Sequence, residues 1–152
     1  MTEDSGRIDG PDGVPPAAVI EAVPFAREIG MQLVSAGEGT AVVAVPYDAR
    51  LVGDPETGVL HGGVISALLD MACGLSVLST PEGRRGTATL DLRIDYMRPA
   101  TVGRTVQARA ECYRMTRSIA FVRALAYHDR PEHPVASAAA TFILEPPREA
   151  TA

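Results

Sequence analysis

The residues best suited to chemistry lie together at positions 61–76, where His61-Gly62-Gly63 opens an apolar helical run that carries one carboxylate, Asp70. An apolar run on every side marks a helix enclosed by protein. An ionised side chain in such a surround loses much of its hydration unless it is paired or opens onto a cleft. Asp70 is therefore the first candidate for chemistry, as general base or nucleophile. Gly62 and Gly63 stand where helix N–H groups have no intrahelical acceptor, and without side chains they let a ligand oxygen come close to the backbone. The helix dipole adds partial positive charge, so these N–H groups suit an oxyanion forming at a carbonyl. The same glycines also serve a tight loop-to-helix turn.

Spacing adds a constraint. Gly63 and Asp70 lie on one side of the helix but about 10 Å apart along its axis. If a glycine N–H holds a carbonyl oxygen while Asp70 activates water at the same carbon, each needs a reach of about 3 Å. Two chains must then contribute, the glycine of one facing the aspartate of the other. His61 precedes the glycine turn with no Ser or Cys at a nucleophile elbow, so it reads as structural rather than as a base. His128 and His133 flank a polar turn without metal-ligand spacing to each other or to Cys73 and Cys112, which predicts exposed loop histidines and no metal.

The elements that must position these groups follow from periodicity. Residues 17–29 support one or two short helical turns interrupted by Pro24 and ending at Gly30. Residues 31–36 and 40–47 flank Gly37-Glu38-Gly39 as an antiparallel hairpin. Residues 50–60, with Gly53, Pro55 and Gly58, read as a mobile loop feeding the helix, which runs to about Leu78. In 87–96, Ala88, Leu90, Leu92, Ile94 and Tyr96 alternate with Thr87, Thr89, Asp91, Arg93 and Asp95, predicting a half-buried strand. Asp91, Arg93 and Asp95 form a solvated or interfacial charge ladder, and Thr89 on their side can reach a cleft. Residues 105–113, 118–127 and 135–144 repeat the alternation as hairpin-connected strands. One long buried helix and an otherwise antiparallel set of strands predict an α+β fold, the sheet curled around the helix.

With 152 residues, 46% of them hydrophobic, the chain suits one domain with a real core. Residues 1–16 read as a disordered tail, 17–146 as the domain and 147–152 as a flexible C-terminus. A net charge of −5 and a pI near 5.1 argue against nucleic acid or an anionic membrane as main partner. Two cysteines exclude a disulfide scaffold or multi-cysteine zinc site, and are expected as reduced, buried thiols. The acidic start shows no secretory signal and no run reaches the length of a membrane span, so the expected location is the cytoplasm.

The stretch Gly58-Val59-Leu60-His61-Gly62-Gly63, Asp70 on the helix, and Thr89-Leu90-Asp91 through Asp95-Tyr96-Met97-Arg98-Pro99-Ala100 resemble the hotdog-fold acyl-CoA thioesterases, especially the phenylacetate-pathway (PaaI-like) type. The resemblance spans about 25–144. It implies a hotdog fold, a homodimer with a continuous sheet, often paired again into a tetramer, and active sites at the subunit interface. It implies hydrolysis of an acyl-CoA or aroyl-CoA substrate, with no metal or redox cofactor. Carried over by position, Gly62 polarises the thioester carbonyl, Asp70 of the neighbouring chain is base or nucleophile, and Thr89 assists the attacking water. His61 and Gly63 border that site. Where the family often has Asn, six residues before the His, this chain has Pro55, with Asp54 as a stand-in for substrate contact. Arg98 and Arg117, at a strand end and a turn, are candidates for the CoA phosphates. The alternative reading is a non-catalytic acyl-CoA-binding or regulatory domain, which has no need of Asp70 and Thr89. A dehydratase would need a His–carboxylate pair, which His61 in its glycine turn suits poorly.

Overall fold

Apolar side chains on almost every side of one helix need a curved surface to cover them, and a twisted antiparallel sheet supplies it. The computed structural model describes residues 15–146, so most of the expected N-terminal tail and the C-terminal 147–152 lie outside the described residues. Two short helices, α1 (Pro16–Ala22) and α2 (Pro24–Glu28), each start on a proline, whose fixed φ suits a first helical turn. The hairpin of β1 (Gln32–Gly37) and β2 (Thr40–Val45) turns at Glu38 and Gly39, both with positive φ.

The segment expected as a loop is in part a small ribbon. β3 (Val52–Asp54) pairs antiparallel with β4 (Val59–Leu60), and the intervening turn closes on Asp54. Helix α3 (Gly62–Leu78) follows. Then come β5 (Thr87–Tyr96), β6 (Val106–Met115), β7 (Ile119–Tyr127) and β8 (Ala136–Leu144). The main sheet has the order β1-β2-β6-β7-β8-β5, all neighbours antiparallel. Consecutive β5 and β6 are thus far apart, and β5 forms one edge. The sheet curls around α3 in the hotdog arrangement that the resemblance implies.

Val64, Ile65, Leu68, Leu69, Ala72, Cys73, Leu75, Ser76 and Val77 of α3 are buried, packed with inward residues of the sheet such as Val43, Val106, Val122 and Phe142. The sheet leaves one stripe of the helix half open: Ser66, Ala67, Asp70, Met71, Gly74 and Leu78. Asp70 belongs to that stripe, which resolves how a carboxylate sits in an apolar helix.

Strand β5 departs from strict alternation. Its register with β8 shifts between Thr89 and Asp91, so Leu90 occupies a β-bulge and is 55% exposed. A bulge reverses side-chain parity. Thr89 therefore shares the helix-facing side with Leu92, Ile94 and Tyr96, and Leu90, expected on that side, points away. Arg93 and Asp95 form an exposed ion pair at 3.0 Å, as a solvated ladder requires.

His128 also departs from expectation. It is buried, not a solvent-exposed loop residue. Its ring spends both nitrogens on backbone, Nε2 accepting from Thr101 N–H and Nδ1 bonding the Thr105 carbonyl, each at 2.8 Å. His133 is exposed.

Both cysteines are free thiols, Cys73 buried and Cys112 partly so. Burial, with a smaller contribution from the Asp70 charge, pushes the Cys73 thiol up from 9.0 to about 12. A raised thiol pKa leaves its contribution to stability intact below the unfolded value and lost progressively as pH climbs from about 9 towards 12. Iodoacetamide at neutral pH should accordingly leave native Cys73 unmodified while slowly alkylating Cys112, as read by peptide mass spectrometry. Equal labelling of both would contradict the packing of α3. Leu68→Ala, at a fully buried position, should lower the unfolding free energy in urea by about 2–5 kcal/mol.

Candidate active site

His61 caps α3. Its Nδ1 accepts from Gly63 N–H at 2.8 Å, and Val64 N–H donates to the His61 carbonyl at 3.0 Å. A Cβ on Gly63 would come within 2.8 Å of that Nδ1, so the glycine is what lets the ring fold over the helix end. With Gly63 N–H committed to the cap, Gly62 N–H is the donor left without a partner among the described residues. A Cβ on Gly62 would meet only the Tyr96 ring, at 3.7 Å. The structure thus separates two glycines that the chemistry of a helix start alone leaves equivalent.

The carbonyl of Gly62 is fixed from the other side. The hydroxyls of Ser66 and Tyr96 lie within hydrogen-bonding distance of each other and, at 3.2 and 3.1 Å, of that carbonyl. One hydroxyl donates to the carbonyl and the other to its neighbour, tying the first turn of α3 to the end of β5. The sequence reading missed both residues. Ser66, one helical turn beyond Gly62, was the available signal, whereas Tyr96 required knowing that β5 runs past the helix start.

Two turns along the same half-open stripe, Asp70 Oδ1 accepts from Thr89 Oγ1 at 2.8 Å. The bulge at Leu90 makes this bond possible by aiming Thr89 at the helix. The pair borders a cavity of about 190 Å3 lined by apolar Val19, Met71, Leu75, Leu78 and Phe142. Gly62 borders another, of about 370 Å3, with Ile65, Tyr96, Met97, Pro99, Ala100 and Val135. The eight residue steps from Gly62 to Asp70 span about 12 Å of helix axis, so within one chain the Gly62 N–H and the Asp70 carboxylate lie beside separate cavities.

The remaining candidates fall elsewhere. Asp54 spends its oxygens on its own turn, accepting from Glu56 N–H at 3.0 Å and the Thr57 hydroxyl at 2.8 Å. These bonds, the Thr57 hydroxyl first, hold its carboxyl below the ordinary range. Asp54 closes the β3–β4 turn, and the structure does not bring it to Asp70 or Gly62. Arg98 borders the Gly62 cavity and donates to the His133 carbonyl at 2.8 Å. Arg117 lies in the β6–β7 turn, at the opposite end of the sheet, where Ser118 bonds Leu144 and Leu144 pairs with Thr87. The two arginines do not share a site within one chain. Among the described residues, no group of three or more His, Cys, Asp or Glu is arranged to hold a metal ion, and no helix is long and apolar enough to cross a membrane.

Comparison with known proteins bears on the fold and the family. The family model described as "Thioesterase superfamily" matches residues 57–134, just over half of the chain. The medium/long-chain acyl-CoA thioesterase YigI of Escherichia coli is 31% identical over 135 residues, covering 80% of this chain and 86% of the relative. A crystal structure of a Pseudomonas aeruginosa protein superposes with a TM-score of 0.77 at 36% identity, over 86% of this chain and 96% of that one. The phenylacetic acid degradation protein PaaI of Thermus thermophilus superposes with a TM-score of 0.70 at 29% identity, over 81% of this chain and 100% of that one. The shared fold, the matched residues spanning both helix sites and these identities place the chain in the thioesterase superfamily, among its PaaI-like hotdog members.

Proposed function

We propose that the protein hydrolyses acyl-CoA thioesters to the free acid and CoA. The observation that carries this reading is one stripe of α3 bearing an unpartnered N–H at Gly62 and, two turns on, a carboxylate held by the Thr89 hydroxyl. The thioester carbonyl oxygen accepts from Gly62 N–H, where negative charge grows as the carbon becomes tetrahedral. Asp70, acting as general base, takes a proton from the water that attacks that carbon. The intermediate then collapses, the C–S bond breaks, and the sulfur leaves as the CoA thiol once it has gained a proton. Asp70 attacking directly as nucleophile uses the same geometry, through an anhydride that water then cleaves. Thr89 orients the carboxylate. No metal or redox cofactor enters these steps.

The reading requires two chains, and the edge strand supports it. β5, ten residues long, pairs with β8 on one side only, so alternate residues along its outer edge present backbone groups without partners among the described residues, beside exposed Leu90, Tyr96 and Met97. Long free edges pair readily with another strand. Antiparallel pairing of β5 with its two-fold copy brings the Tyr96 end of one chain, with Gly62, to the Thr89 end of the other, with Asp70. The distance conflict along a single helix disappears, and each dimer holds two composite sites. Further association into a dimer of dimers is compatible with this pairing. The apolar cavity beside Asp70 suits a hydrocarbon acyl group, in keeping with the substrate named for the Escherichia coli relative.

Asp70→Asn keeps the hydrogen bond from Thr89 but removes the base. CoA release from a responsive acyl-CoA should fall by about a hundredfold or more, and Thr89→Ala should cost about 1 kcal/mol in kcat/KM. An Asn variant near the wild-type rate would make Asp70 structural. Wild-type protein that binds several acyl-CoAs and cleaves none in a broad panel would replace the enzyme with a binding domain.

Gly62→Pro replaces the N–H with a pyrrolidine ring at a first helical position that proline favours, after a His61 already extended at φ −59°, ψ 135°, and a Cβ there meets only the Tyr96 ring, at 3.7 Å. It should lower kcat about 100- to 1,000-fold while the helix content by circular dichroism is retained. Mixing the Asp70→Asn and Gly62→Pro proteins should restore activity through heterodimers with one intact site. Proven subunit exchange without recovery would rule out sites shared between chains.

A further inference from the structure

All fourteen basic residues of the chain are arginines, and three of them meet beside the Gly62 cavity. A second cavity, about 170 Å3, is lined by Arg98, Arg104 and Arg130 with Thr101, His128, His133 and one carboxylate, Asp129. Arg98 lines both cavities, so the cationic one continues directly from the place where the thioester carbonyl is held. In a protein of net charge −5 this gathering of guanidinium groups stands against the overall balance.

The cavity is built rather than incidental. Its walls are the segment after β5 and the β7–β8 connection. Buried His128 ties them together by accepting from Thr101 N–H and bonding the Thr105 carbonyl, and Gln107 Nε2 donates to the His128 carbonyl at 3.2 Å. Arg98 bonds the His133 carbonyl across the same gap, and Arg104 pairs with Asp129, which neutralises the one carboxylate. The Arg130–Glu132 pair is open, at 3.9 Å between exposed groups. Donors therefore remain for a ligand, and planar guanidinium forks match phosphate oxygens. The volume is several times the roughly 30 Å3 of a water molecule, enough for a phosphate group.

We infer that this cavity binds the phosphates of the CoA nucleotide, with the pantetheine arm passing Arg98 to reach Gly62. The inference rests on the acyl-CoA reading above and extends it: Arg104, Arg130 and His133 join Arg98 in holding the nucleotide. Arg117, at the other end of the sheet, has no part in it within the same chain. The cavity gives affinity for CoA without touching the reacting carbon, so its loss acts on binding and not on the chemical step.

The test compares one acyl group on CoA and on pantetheine, which lacks the nucleotide. Arg104→Gln and Arg130→Gln should each raise KM for the acyl-CoA about tenfold with kcat kept, and leave KM for the acyl-pantetheine where it was. The acyl-CoA KM of the wild type should also rise with salt, as a charge contact demands. Isothermal calorimetry with adenosine 3′,5′-bisphosphate should show binding to wild type and about tenfold weaker binding to both variants. Arg130→Gln, at an exposed and open pair, keeps the test valid if Arg104→Gln melts early. Equal KM shifts on both substrates, unchanged bisphosphate affinity in the variants, or inorganic phosphate binding as tightly as the bisphosphate would each overturn the assignment. Failure of every thioester to be cleaved would sink the enzymatic reading instead, and the calorimetry would still decide this site.

Discussion

Helix α3 has to lose water on nearly every side, and the rest of the molecule is arranged to allow it. Nine of its residues from Val64 to Val77 are buried, which no flat surface achieves. At about 25 cal/mol for each Å2 of apolar surface removed from water, enclosing them is the dominant favourable term in this small domain. The sheet must therefore curl. A curled six-stranded sheet that does not close has two free edges and leaves an uncovered stripe on the helix. Both consequences lie at the candidate site. The stripe carries Gly62, Ser66 and Asp70, and one free edge is β5, which carries Thr89 and Tyr96.

The single bulge in β5 links the helix to its chemistry. Without the extra residue at Leu90, the alternation that turns Leu92 and Ile94 inward would turn Thr89 outward. With it, the hydroxyl meets Asp70 and a leucine is left facing solvent. Exposing an apolar side chain on an edge strand is unfavourable for an isolated chain. It is consistent with a strand that a second copy covers, the same copy whose Gly62 the proposed mechanism needs.

Polar groups around the helix start divide their work cleanly. His61 takes the Gly63 N–H and leaves that of Gly62 unpartnered. Ser66 and Tyr96 hold the Gly62 carbonyl, so the peptide that presents the free donor is anchored from its own residue's far side. A donor fixed in advance spends no reorganisation energy when charge develops on a bound oxygen. Nearby, His128 uses its whole ring to join two loops, so the segment after β5 forms a wall common to the Gly62 cavity and the arginine-lined one.

Much of this was legible from the order of residues alone. Helix α3 ends at Leu78, where the turn residues from Ser79 predict its stop, and β5 spans 87–96 as its period of two predicts, because both signals are local properties of the chain. The glycine pair, Asp70 and Thr89 were legible because glycine at a helix start and a carboxylate in an apolar helix need a physical reason wherever they occur. Even the proposed mechanism's demand for two chains followed from helix rise. Tertiary structure decided what depends on neighbours remote in sequence. Register with β8 placed the bulge at Leu90 and so chose the face of Thr89. Packing of the 97–105 segment against the end of β7 buried His128, which its polar surroundings had marked as exposed. A turn closed by local hydrogen bonds took Asp54 out of the site. Which of the two glycine N–H groups stays unpartnered came down to one imidazole nitrogen, whose direction is set only once the loop before the helix has folded.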